Sequence, residues 1–238
     1  MNATTLLNAP SIEAAIEYLY EESEASRPSV NRCIVPLKKL ITGCPLNCIE
    51  MTDLTREAAI AYFSDHERAR DHFNSVNGET LSGFLYTSSR SGTIFINRSD
   101  PVVRRRFSIA HEIGHFLLHL RPVLNVLKTQ GVLVGISDAA PANESGVEAD
   151  DSVERLAGRA DLIDDGEAAG MLPPIAEMER QADEFATELL MPAPLIQDLF
   201  ALNGEKFREK DLAWRLATEM LVSHAAMDRR LRSLKLIS

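Results

Sequence analysis

Residues 111–115 read His-Glu-Ile-Gly-His. Two histidines four positions apart share one face of an α-helix, about 6 Å apart along its axis, so both imidazoles can turn toward one point. Zinc binds histidine nitrogen at about 2.0–2.1 Å in a tetrahedron, and such a pair supplies two of its corners. Glu112 follows His111 directly. Its carboxylate can lie beside an ion without binding it and there take a proton from an attacking water, the arrangement of the H-E-x-x-H motif. Phe107, Ile109, Ile113, Phe116, Leu117 and Leu118 make the surrounding helix apolar. A buried helix with three polar side chains in one region needs partners for them, because each unsatisfied group costs about 1–3 kcal/mol. A cation supplies those partners. His119 continues the series, but eight residues advance about 12 Å along a helix, more than one ion bridges. Hydrogen bonding or packing is expected of it rather than ligation.

A third donor must come from another element. The run 175–191, "IAEMERQADEFATELLM", offers Glu177, Glu179, Asp183, Glu184 and Glu188. Glu179 and Asp183 share a face with Ala182 and Ala186, residues small enough to let two helices approach closely. Glu179 can reach the ion from there, and Asp183 can accept a hydrogen bond from the far nitrogen of a ligand histidine, which fixes the ring's tautomer. Spacing alone favours a solvated acidic helix face.

The elements that must position these groups are legible in outline. Ile12, Ile16, Leu19 and Tyr20 predict an amphipathic helix over 11–23, capped by Ser11. A second helix is expected over 30–42, interrupted at Pro36. Residues 46–54 read as a strand and 55–73 as a helix. "LSGFLYT" (81–87) and "TIFINR" (93–98) around "SSRSG" predict a hairpin. Asp100 is placed to cap a helix whose first residue is Pro101 and which runs to about 120, with Pro122 just beyond its end. Residues 121–172 read as an insertion. "VLNVLKTQGVLVGIS" within it is apolar enough to pack, and the acidic stretch that follows carries a short helix near 152–160. After 195, two or three short helices are expected.

The whole chain has 238 residues, 45% hydrophobic and 25% charged, with a net charge of −10. That composition is globular, and the acidity argues against nonspecific binding to the phosphate backbone. No apolar run reaches the length of a membrane span, about 20 residues, and "MNATTLLNAPS" lacks the basic and apolar segments of a secretory signal. Three cysteines, Cys33, Cys44 and Cys48, imply no disulfide framework. A cytoplasmic protein without a membrane partner is expected.

"RRFSIAHEIGHFLLH" (105–119) followed by "ERQADEFATELLMP" (179–192) resembles the ImmA/IrrE family of zinc metallopeptidases, as do the hairpin "GFLYTSSRSGTIFINRSDP" and the ending "LVSHAAMDRRLRSLKLI". The likeness runs from about Pro28 to the C-terminus outside the insertion. It implies an α+β fold, a mostly helical zincin-like domain with a small antiparallel sheet and a C-terminal helical subdomain. The divisions implied are an N-terminal helix over 1–27, the metallopeptidase domain over 28–194 with its acidic insertion at about 121–172, and the helical subdomain over 195–238. It further implies His111, His115 and Glu179 as zinc ligands, Glu112 as catalytic base, and Asp183 as the carboxylate that hydrogen-bonds a ligand histidine. The metal is then Zn2+, with Mn2+ or another divalent ion as the alternative. Tyr86, His119 and the arginines of 104–106 are candidate donors to an oxyanion. The 63 residues between His115 and Glu179 (116–178) are more than the family leads one to expect. By the same resemblance the substrate is a helix-turn-helix transcriptional repressor, cut to release stress-response or mobile-element genes. The rival is a regulator that binds DNA or protein through the helix-turn-helix-like residues 211–236, with a non-catalytic metal site.

Overall fold

The structure is a computed structural model that describes residues 9–62, 80–87, 91–126, 134–139, 160–162, 172–204 and 207–237. Helix α1 (Ile12–Ser23) opens at Ser11, whose hydroxyl accepts from the Ala14 amide at 3.2 Å, and buries Ala15, Leu19 and Tyr20 on one stripe. Helix α2 is only Leu37–Ile41, shorter than the expected 30–42. Pro36 has no N–H and disfavours helical backbone in the residue before it, so the helix begins after it rather than running through. Strand β1 (Leu46–Met51) and helix α3 (Arg56–Tyr62) follow. The remainder of the helix expected to 73 lies outside the described residues.

The hairpin strands are β2 (Leu81–Thr87) and β3 (Gly92–Asn97), paired antiparallel. They sit in a five-stranded sheet of order β1-β3-β2-β4-β5, with β4 (Val134–Ala139) and β5 (Ala160–Leu162) drawn from the insertion. The fold is α+β and mostly helical, as expected. Its sheet is mixed rather than wholly antiparallel, because β1 runs parallel to β3. Alternation divides the side chains between two faces. Leu85, Ile94 and Ile96 join the main core with the helices, while Phe84 and Phe95 pack with Leu54 and Ala59 in a second cluster. The short helix expected near 152–160 falls almost wholly outside the described residues.

Helix α4 spans Val102–Gly114. Asp100 does not cap it. Pro101 takes the N-cap position without a side-chain cap, and the Asp100 carboxylate, one residue too early, faces Arg104 at 3.6 Å. Nor does the helix end at 120. A π-helical segment, His115–Leu120, continues into α5 (Arg121–Val126). Pro122 offers no N–H and its ring would press on the Leu118 carbonyl in an α-register. The wider turn, in which the Arg121 amide bonds Phe116 O, relieves that pressure and carries the helix past the proline. Single π-turns of this kind recur beside functional groups.

Helix α6 (Ile175–Leu190) crosses α4, and α7 (Ala193–Asn203), α8 (Glu209–Met220) and α9 (His224–Ser233) complete the chain. Residues of α1, α4, α6, α7, α8 and α9 share one core. Among the described residues no single helix is long and apolar enough to cross a membrane.

Candidate metal centre

Helix α4 is fixed at three successive arginines. Arg104 Nε donates to Ser82 Oγ at 2.9 Å, Arg105 pairs with Glu50 at 2.6 Å, and Arg106 donates to Val35 O at 3.1 Å. These contacts tie the helix to β2, β1 and the segment before α2. Its other side meets α6 through small residues. A Cβ added at Gly114 would stand 3.0–3.2 Å from the Phe185 side chain, and Ala182 and Ala186 are fully buried. Glycine and alanine at this crossing allow the close approach on which the rest of the site depends.

His111, Glu112 and His115 are all buried. The two Nε2 atoms lie 2.9 Å apart, and Glu179 reaches them from α6 at 3.2 Å from His111 and 3.4 Å from His115. A tetrahedron with arms of about 2.05 Å has edges of about 3.3 Å; the two histidine–carboxylate separations are close to that edge, one made by Oε2 of Glu179 and the other by Oε1. His111 Nδ1 is 3.1 Å from Asp183 Oδ1. An ionised carboxylate only accepts, so Nδ1 carries the hydrogen and Nε2 is left with its lone pair turned inward. A carboxylate and an imidazole lone pair held this close repel one another unless a cation stands between them. His111, His115 and Glu179 could therefore hold a metal ion.

Protonation suits that task. Burial pushes His115 down to about 4, with the neighbouring His111 acting the same way and Glu179 opposing. Burial pulls Glu179 up, but contacts from His111 and His115 outweigh it and hold the acid at about 2. At neutral pH the His115 ring is neutral and the carboxylate ionised, the forms that bind a metal. Chelator-treated protein is accordingly expected to lose stability in acid. An unfolded histidine takes its proton near 6.5, whereas folded His115 waits until about 4. Between those values the unfolded chain holds more protons. The contribution is complete above 6.5 and is lost as the pH falls toward 4, up to about 3 kcal/mol for such a shift. Urea midpoints between pH 7.5 and 4.5, with and without His115→Gln, measure it; equal slopes in both proteins would contradict it.

The other candidates are placed elsewhere. Tyr86 lies on the sheet face that packs with the Leu54 cluster, opposite α4, because strand alternation turns it away from Leu85. Arg104, Arg105 and Arg106 are engaged in the contacts that anchor α4. His119 is buried next to His115 and Gln181 and does not join the three donors. Sequence reasoning missed Gly83. Its Cα faces Glu112 so closely that an added Cβ would be 2.9 Å from Oε1. Glycine inside the apolar strand "LSGFLYT" was the available signal, since it marks a close approach.

The sequence matches the family model described as the IrrE N-terminal-like domain, over residues 66–144 and 156–232. The chain belongs to this peptidase family. The ImmA/IrrE resemblance read from its two motifs is thereby shown, and with it a metallopeptidase-type function. The interruption, 145–155, falls inside the acidic stretch. No curated protein matches the chain.

Proposed function

We propose that this member of the IrrE-like family is a zinc-dependent endopeptidase with Glu112 as its general base. The observation that carries the reading is the convergence of His111, His115 and Glu179 at nearly tetrahedral separations, beside a buried glutamate that is not one of the three. A divalent cation held there would supply Lewis acidity, polarising a scissile carbonyl and bringing water to a pKa of about 7. Glu112 then accepts the proton of the attacking water on a carboxylate oxygen and delivers it to the leaving amine. Asp183 holds the His111 ring in the tautomer that leaves Nε2 bare.

Gly83 sets the depth of the base. In Gly83→Ala the new methyl would meet Oε1 of Glu112, the movable end of that side chain. The fold is expected to survive, zinc affinity to stay unchanged and kcat to fall about tenfold, since a misplacement of about 1 Å can cost 10²-fold. Steady-state kinetics beside a chelator titration checks the split, and an unchanged kcat would remove Gly83 from this role.

The proposed substrate is a helix-turn-helix repressor, and the proposed compartment the cytoplasm. Strand β3 is no docking edge, because β1 and β2 fill both its sides. The other side of β2 carries β4, and the outer strands of the described sheet are β1 and β5, so an extended peptide adds to one of those or displaces β4. Co-expression with the repressor encoded beside this protein, followed by mass spectrometry of fragments, tests the assignment. Intact repressor in the presence of metal-loaded protein would exclude that substrate.

The rival DNA-binding reading needs the basic face of α9. Arg230 is instead buried, donating to Met191 O at 3.0 Å and pairing with Glu188 at 2.6 Å. Arg232 pairs with Asp228 at 2.8 Å. The Arg230 contacts support α9 as a buttress of α6, and a salt-sensitive gel shift would argue against that.

A further inference from the structure

A string of polar side chains leads away from His115, and the proposed chemistry makes no use of it. His119, in the π-helical segment, places Nδ1 3.2 Å from His115 Nδ1 and Nε2 3.0 Å from Gln181 Oε1. Gln181 Nε2 donates to Glu177 Oε1 at 2.7 Å. Arg180 grips both oxygens of Glu177, at 2.9 and 2.7 Å.

The hydrogens follow from the outer end inward. The Glu177 carboxylate only accepts, so Gln181 turns its NH2 toward it and its carbonyl toward His119. That carbonyl also only accepts, so His119 Nε2 carries a hydrogen. His119 is buried and its two nitrogens face an imidazole and an amide carbonyl, neutral groups that do not compensate a charged ring removed from water, and a neutral ring protonated at Nε2 has a bare Nδ1. This Nδ1 can only accept, so His115 Nδ1 is the donor. The atom of His115 left with its lone pair is Nε2, which is the one in the donor cluster.

We propose that Glu177, Gln181 and His119 are positioning residues that set the tautomer and direction of His115, as Asp183 does for His111. The two histidines would then be oriented by different chemistry. A carboxylate acts directly on the first, and on the second a carboxylate acts through an amide and a neutral imidazole. The i, i+4 spacing repeats along both helices, with His115 and His119 on one and Glu177 and Gln181 on the other, so neighbouring turns meet rung for rung. Partners of this kind typically contribute 10–100-fold to metal affinity.

The consequence for affinity rests on the metallopeptidase reading, whereas the tautomer does not, so two readouts separate them. In metal-free Glu179→Gln protein, where no carboxylate draws a hydrogen onto His115 Nε2, long-range proton–nitrogen NMR should show His115 in the Nδ1–H form alone, and the string is tested on that background. His119→Phe and Gln181→Leu should each admit the Nε2–H form. By chelator competition, His119→Phe should weaken zinc binding about 10–100-fold. His119→Asn, whose Oδ1 occupies the acceptor position of the lost ring nitrogen, should stay within about threefold of the wild type. The proposal is overturned if His115 keeps a single Nδ1–H tautomer in both His119→Phe and Gln181→Leu, or if asparagine weakens binding as much as phenylalanine. Wild-type protein that takes up no zinc would sink the metallopeptidase reading and leave the tautomer result to decide the string.

Discussion

Glu112→Gln is expected to abolish peptide hydrolysis while leaving metal uptake intact. The side chain is fully buried between α4 and β2, against the Cα of Gly83, so glutamine of the same shape can replace it without opening a cavity. What it removes is a basic oxygen. An amide does not accept a proton near neutral pH, and general-base loss of this kind costs about 10²–10⁴ in rate, or about 3–5 kcal/mol of barrier. Zinc content should not change, because the donors at 2.9–3.4 Å from one another are His111, His115 and Glu179. Rates by fragment mass spectrometry, read beside zinc content by elemental analysis, give the result. Activity within tenfold of the wild type would remove Glu112 as the base. Loss of zinc would instead make it a structural support of the ion.

The half of this site that lies on one helix was legible from residue spacing, and the half that comes from α6 was not. His111, Glu112 and His115 sit at intervals that α-helical geometry converts directly into a shared face. Glu179 is different. Five acids stand on α6, and nothing in their spacing says which of them faces α4. That is decided by where Gly114, Ala182 and Ala186 let the helices close, a matter of packing between segments more than 60 residues apart. Family resemblance pointed to Glu179, and the fold brings it to the two histidines. The errors have similar origins. Pro122 looked like a terminator because proline breaks an α-register, but a π-turn is not an α-register. Tyr86 looked available because a polar tip on a strand near the site says nothing about which sheet face it takes. The helical rise separated His119 from the candidate ligands, and in the structure it stands outside the cluster of His111, His115 and Glu179. Its place in a string with Gln181 and Glu177 needed the second helix to be seen.

Glu179→Gln should disconnect the protein from its metal, and this second expected result separates the three donors from an ordinary buried histidine pair. The carboxylate is the one anionic donor among the three, and it faces His111 and His115 from a separate helix. A ligand that binds only the folded state stabilises it by about 4.1 kcal/mol at a thousandfold excess over Kd. Zinc should therefore raise the unfolding midpoint of the wild type and fail to raise that of Glu179→Gln. Asp183→Asn should fall between them. Its amide can still sit beside His111 Nδ1 but no longer dictates that the nitrogen donates, so binding weakens about 10–100-fold and excess zinc restores the stabilisation. The ranking carries the argument. If Asp183→Asn loses zinc stabilisation beyond rescue while Glu179→Gln retains it, the ion is held by Asp183 and the near-tetrahedral separations around Glu179 have another cause. If neither variant changes the response, zinc binds elsewhere on the chain, and two imidazoles facing a carboxylate across α4 and α6 are only a buried hydrogen-bonded cluster.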